Sequence, residues 1–284
     1  MPFAEIDGIP TRYEVLGEGP PLLMYAPGGF DARLEQWTDL GIYKRIKIMD
    51  RLPRNYSCIL FDRRENGQSG GRVERITWMH YVRQGVGLLD CLGIDKAHVM
   101  GGCMGCCPVA AFGVAHPGRT LSMVHYWPVG GAKFRIGSHQ RFARHLAFVD
   151  ENGLQAVVDL VRSHDRNFSQ DPRGGPWGQP IRNSDAFAAA YAALDRTVYL
   201  RTVTAMYRGL FDRDTAPGAE PEDLLALDIP SLIVPGNDDS HATSAARYLQ
   251  ECLNGSDYWD VPVDEQTEGT APQRVVAFLD GVSR

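Results

Sequence analysis

Short apolar runs alternate with amphipathic stretches along most of the chain. Residues 3–16 alternate around Asp7-Gly8 and predict two short strands, closed off by Gly17-Glu18-Gly19-Pro20. Residues 21–26 are a continuous apolar run that stops at Pro27-Gly28-Gly29, and a second run, 56–61, ends at Asp62. Runs of this length between turn residues fit strands buried on both faces of a parallel sheet. Over 73–92, Ile76, Met79, Val82, Val86 and Leu89 recur at helical intervals, and Gly93 marks the stop. A strand at 97–100, a helix over 104–115 and a strand at 121–126 follow.

This alternation predicts an α/β protein with a mostly parallel, doubly wound sheet. It lapses after Trp127-Pro128-Val129-Gly130-Gly131, where the pattern turns helical, as at 142–148 and 186–194, around the Gly/Pro-rich segment 171–177. No strand is predicted there, so residues 131–222 read as a helical cap inserted after the sixth strand, with 1–130 and 223–284 as the core. Strands at 231–234 and 258–263 and helices at 244–252 and 272–279 complete the pattern.

The 284 residues suffice for one large α/β domain with an insertion. With 44% hydrophobic and 23% charged residues the composition is globular, not disordered. The net charge of −6 comes without a Lys/Arg stripe, which argues against nucleic acid or an anionic membrane as partner and leaves a small molecule. Mean hydropathy of −0.25 and the shortness of every apolar run argue against a membrane span. The start, Met1-Pro2-Phe3-Ala4-Glu5-Ile6-Asp7, has neither a basic nor an apolar leader segment, so no secretory signal is expected and a cytoplasmic location is.

Six cysteines are too few for a disulfide scaffold. Cys58, Cys91 and Cys252 are isolated, whereas Cys103, Cys106 and Cys107 crowd together. Cys103-x-x-Cys106 also matches a redox pattern, but no second Cys/His pair has ligand spacing, so neither a metal nor a cofactor is expected. The more informative pattern is Gly101-Gly102-Cys103-Met104-Gly105 between a strand and an apolar helix. Glycines two residues to either side relieve a sharp strand-to-helix turn and lift the central side chain clear of the sheet. At a helix N-terminus a thiolate is favoured, and its pKa can fall from about 8.5 to roughly 3.5–7.5.

With this motif the chain resembles the α/β-hydrolase fold superfamily, whose nucleophile elbow reads Gly-x-Ser-x-Gly, with cysteine here in the serine's place. Ala26-Pro27-Gly28-Gly29-Phe30 is similar to the loop that supplies half of the oxyanion hole, and residues 61–69 are similar to the Asp-x-Arg-Gly-x-Gly-x-Ser turn. The resemblance implies Cys103 as nucleophile, the N–H groups of Met104 and of Gly29 or Phe30 as oxyanion donors, and an acid after the penultimate strand. Pro235-Gly236-Asn237-Asp238-Asp239-Ser240-His241 supplies that acid; a Gly-Asn-Asp-x-x-His form selects Asp238, the commoner spacing selects Asp239, and either can instead cap the following helix.

The base departs from the pattern. Relatives place a histidine in the loop after the last strand, but no histidine follows His241, and Glu265 stands near the vacant position. Three solutions are open: His241 itself, a cap histidine (His139, His145 or His164), or a helix-stabilised thiolate that needs no base, with Glu265 positioning water or substrate. His98, His116 and His125 read as structural. Phe30 and Trp127 are candidate pocket walls, with Phe134, Trp177 and Tyr207 from the cap. The expectation is a hydrolase with a cysteine nucleophile acting on a small apolar ester, lactone or thioester. The alternatives are a lyase or C–C-bond enzyme on the same scaffold and a non-catalytic binder of a small ligand.

Overall fold

The computed structural model describes residues 2–283. In chain order its elements are β1 (Phe3–Ile6), β2 (Ile9–Leu16), β3 (Pro21–Tyr25), α1 (Gln36–Asp39), α2 (Gly41–Ile46), β4 (Ser57–Phe61), α3 (Trp78–Cys91), β5 (Ala97–Gly102), α4 (Cys106–Ala115) and β6 (Thr120–Tyr126). Then come α5 (Ala132–Ser163), α6 (Gly178–Asn183), α7 (Asp185–Ala192), α8 (Arg196–Leu210) and α9 (Pro221–Leu225). The chain closes with β7 (Ser231–Val234), α10 (Thr243–Cys252), β8 (Asp257–Tyr258) and α11 (Ala271–Val282). Among the described residues the strands form one eight-stranded sheet in the order β1-β2-β4-β3-β5-β6-β7-β8. β2 runs antiparallel to β1 and β4, and every later pairing is parallel.

The continuous apolar runs are explained by burial on both sides. In β3, Leu23 and Tyr25 join one hydrophobic layer, while Leu22 and Met24 join the other. Val99 with Met100, and Ile233 with Leu232, divide the same way, as the two-residue period of a strand requires. The layer holding Leu23 also takes up α3, α4 and the helices inserted between β6 and β7; the other packs against α2 and α11.

Several boundaries differ from the sequence pattern for local reasons. Helix α3 starts at Trp78 rather than near 73 because Thr77 caps it, its N–H bonded to His80 Nδ1 at 3.0 Å. The helical pattern at 142–148 is the middle of the long α5, which is broken only at Gly153, where φ is +80°. The last strand, expected over 258–263, is only Asp257–Tyr258. Beyond it the amides of Asp260 and Val261 bond locally, to the carbonyls of Tyr258 and Trp259, and Pro262 has no N–H to give a ladder. No helix among the described residues is long and apolar enough to cross a membrane.

Register places the site. Tyr25 of β3 is level with Gly101 of β5, Gly102 with Tyr126 of β6, and Tyr126 with Val234 of β7. Four adjacent parallel strands therefore end together, and the loops that leave them meet above the sheet's carboxyl edge.

Candidate active site

The turn after β5 is the sharpest of these loops. Cys103 sits in the left-handed region at φ +54°, a conformation that costs a non-glycine residue of order 1–2 kcal/mol and persists only where the surroundings fix it. They do so tightly. A Cβ on Gly101 would lie 2.3 Å from the Gly105 carbonyl oxygen, and one on Gly105 would lie 2.3 Å from that of Tyr25. Gly102 is pinned from the side by the Tyr43 ring, whose hydroxyl donates to the Tyr126 carbonyl at 3.0 Å. The result holds the half-buried Cys103 side chain at the start of a single 3-10 turn that leads into α4.

The loop after β7 brings two more groups. Asp238 accepts from the N–H groups of Ser240 and His241 at 2.8 and 2.9 Å, which curls the loop so that His241 Nδ1 lies 2.8 Å from Asp238 Oδ1 and 2.9 Å from Oδ2. Gly236 is required here, because a Cβ on it would sit 2.6 Å from the Cβ of His241. The imidazole packs against Trp127, ring centres 5.3 Å apart. With Nδ1 on the carboxylate, Nε2 is left buried without a hydrogen bond of standard geometry, and the group beside it is the Cys103 thiol.

Electrostatics couple sulfur and ring. Burial pushes the Cys103 thiol up, but the His241 charge, a hydrogen bond with His241 and the backbone N–H groups of Gly28 and Met104 outweigh it, and the net shift is downward. For His241 burial pulls down, while Cys103 and Asp238 pull up, and the outcome is about 9. Both shifts act in the direction of a thiolate–imidazolium pair. Cys58 provides the contrast: burial alone pushes it up to about 12. Cys106 is buried, with its Sγ 3.2 Å from the Gly101 carbonyl, and is likewise raised by burial.

A cavity of about 150 Å³ opens onto Cys103. Gly28, Gly29, Phe30, Met104 and His241 line its floor, and Phe134, Ser138 and Arg141 of α5 line its roof. The Gly28–Gly29 turn is held from below by Arg63, which is fully buried and donates to the Gly29 carbonyl. The turn around Asp62 is built on that carboxylate, which accepts from the N–H groups of Leu34 and Gln68 at 2.9 and 2.7 Å. Glu65, which stands where the resembled turn has glycine, adopts φ +68°.

Of the residues singled out in the sequence, Cys103, His241 and Asp238 are brought together, with Gly29, Met104 and Phe30 around them. The Gly28 N–H joins that of Met104 in lowering the pKa of the thiol. Trp127 does not line the cavity: its indole is turned onto His241, and its Nε1 donates to Gln266 at 2.7 Å. Trp177 and Tyr207 are also elsewhere, the first bonded to the Arg72 carbonyl and the second stacked on Phe142. Asp239 is 79% exposed and pairs with Lys133, so it is not the carboxylate that holds His241. None of the other proposed bases lies at the sulfur. His139 is bonded to the Phe211 carbonyl, His145 to Tyr199 and the Arg173 carbonyl, and His164 lies 3.3 Å from Asp171. Glu265 is exposed on a 3-10 turn. In its place the loop after β8 buries Gln266, which accepts from Tyr126 Oη and Trp127 Nε1 and donates to the Pro235 carbonyl at 2.8 Å. Arg141 and Ser138 had no signal beyond their helical spacing from Phe134.

Comparison with known proteins agrees with this architecture. Residues 21–161 match the family model described as the α/β hydrolase fold. The chain has the α/β hydrolase fold. It is 31% identical over 160 residues to the dihydrolipoyllysine-residue acetyltransferase component of the acetoin cleaving system of Cupriavidus necator. That match spans 56% of this chain but only 40% of the relative's length. It is 24% identical over 250 residues to 3-oxoadipate enol-lactonase 1 of Acinetobacter baylyi, covering 86% of this chain and 84% of that one. The solved enol-lactonase of Burkholderia xenovorans LB400 superposes with a TM-score of 0.60 at 19% identity, over 98% of this chain and all (100%) of that one.

Proposed function

We propose that the protein hydrolyses a small ester, lactone or thioester, with Cys103 as nucleophile, His241 as proton carrier and Asp238 holding the imidazole. The observation that carries this reading is the position of His241 between the Asp238 carboxylate and the Cys103 thiol, with the thiol's pKa lowered and the imidazole's raised. The similarity to an enol-lactonase over most of both chains supports the bond class.

In the first step the Cys103 thiolate attacks the carbonyl carbon, and the carbonyl electron pair moves onto oxygen. The Met104 N–H and the amides of the Gly28–Gly29 turn are the donors available to that oxygen. Collapse expels the alkoxide or thiolate leaving group, which takes the proton on His241 Nε2, and leaves a thioester on Cys103. Neutral His241 then removes a proton from water as it attacks the thioester; the tetrahedral intermediate releases the acid, and the thiolate–imidazolium pair returns. A histidine on the acid loop removes the reason for favouring a lyase, namely the lack of a group to activate water.

Mass spectrometry of the protein quenched during turnover of a small ester tests this. The expected result is an acyl adduct on the peptide containing Cys103, with both adduct and turnover lost in Cys103→Ala. Turnover that survives Cys103→Ala overturns it.

A further inference from the structure

The cavity roof carries a cation that no acidic side chain among the described residues neutralises. Phe134, Ser138 and Arg141 fall four and three residues apart on α5 and so share the face turned to Cys103 and His241. Arg64 pairs with Glu65 and Glu74 and Arg213 with Asp212 and Glu220, while the fully buried Arg63 donates to the Gly29 carbonyl. Among the described residues Arg141 has no Asp or Glu partner, and its guanidinium lies 6.0 Å from the centre of the Phe168 ring. Burial alone lowers its pKa, with no acidic neighbour acting the other way. A desolvated cation is costly unless paired. Phe30 and Phe211 give the cavity its apolar lining beside Phe134.

We propose that Arg141 is the subsite for a carboxylate on the substrate, so that the molecule cleaved is the monoanion of an acid bearing an ester, lactone or thioester a few carbons away. The guanidinium N–H groups donate to the carboxylate, Ser138 presents its hydroxyl on the same face, and the acyl carbon is held toward Cys103. The identity of the reacting bond rests on the hydrolytic reading above; the carboxylate subsite does not.

The test uses monomethyl glutarate and methyl pentanoate, which match in length and differ in carrying a carboxylate or a methyl group. Wild-type protein is expected to prefer the anion by roughly 10- to 100-fold in kcat/KM, the range for a hydrogen bond to a charged group. The preference should collapse toward unity in Arg141→Gln and recover in part in Arg141→Lys, which keeps the charge without the fork. Binding is read separately in Cys103→Ala, where monomethyl glutarate should raise the melting temperature and methyl pentanoate should not, and adding Arg141→Gln should abolish the difference. Equal treatment of the two esters in both assays overturns the subsite. Selective stabilisation with turnover of neither ester retains the subsite and overturns the hydrolytic reading alone.

Discussion

Asp238 and His241 stand three residues apart on one loop, and their side chains meet at 2.8 Å. The acid and the ring it holds therefore share one turn, closed by the two N–H groups that Asp238 accepts and by the Gly130 N–H bonded to the Ser240 carbonyl at 3.1 Å. Their spacing is local, and only the approach to Cys103 depends on the tertiary fold.

The coupling of ring and thiol sets the pH behaviour. Because the folded Cys103 pKa is lowered, thiolate persists below the ordinary cysteine range and is lost as pH falls through the shifted value. Iodoacetamide should therefore label Cys103 at pH 7 well ahead of Cys58. In His241→Gln, where only the Gly28 and Met104 N–H groups still oppose burial, that rate should fall by about tenfold. Ester turnover should decline above about pH 9, as His241 loses the proton it gives to the leaving group. Stopped-time alkylation with peptide mapping, and a pH–rate profile, check both.

The two neighbouring aspartates should separate cleanly. Asp238→Asn removes one of the two charges that raise the His241 pKa, the other being Cys103, so the alkaline limb should move down and kcat/KM should fall about 10- to 100-fold, moderated because the carboxylate is 50% exposed. Asp239→Asn touches only an exposed pair with Lys133 and should stay within about twofold. Equal losses in the two variants would contradict the assignment.

Glycines of the site differ in what they must avoid. Gly105→Ala drives a methyl into the Tyr25 carbonyl and should cost more than about 3 kcal/mol, or prevent folding. Gly29, at φ +64°, has nothing within 4 Å of an added Cβ, so Gly29→Ala should cost only about 1 kcal/mol of backbone strain. Urea unfolding of the two variants measures the gap.

Glu65 predicts a pH-dependent stability. It is fully buried, bonded to Arg64 Nε at 2.8 Å and to the Arg72 N–H, and burial raises its pKa from 4.5 to about 7. The folded protein holds this proton where the unfolded chain has released it, so the contribution is complete below pH 4.5 and is lost as pH rises through about 7. The full effect is of order 3 kcal/mol. Glu65→Gln should flatten this part of the stability profile, measured by denaturant unfolding between pH 4.5 and 8; an unchanged slope counts against it.

The elbow was legible in the sequence because its glycines answer a backbone demand that any structure with that turn must meet: Gly101 and Gly105 have no room for a Cβ. The sheet was legible for a similar reason, since β3 and β5 are apolar on both faces. His241 was harder to place. A histidine three residues past an aspartate, just before a helix, reads equally as part of a cap, and only the curl of the loop, with Gly236 making way, turns it to the sulfur. Trp127 was misplaced because an aromatic at the end of a strand does not announce which side its ring takes, and here φ is +55°. Gln266 depends on Tyr126 and Trp127, 140 and 139 residues away in sequence, and Arg141 on a cavity assembled from separate segments, so no local pattern marks them.

The two-residue length of β8 bears on how the molecule meets others of its kind. A sheet margin that ends after Asp257–Tyr258 and turns away at Pro262 presents almost no unpaired ladder. Strand-to-strand zippering along this margin, a common route from crowded folding intermediates to aggregates, would gain only a bond or two before running out of backbone.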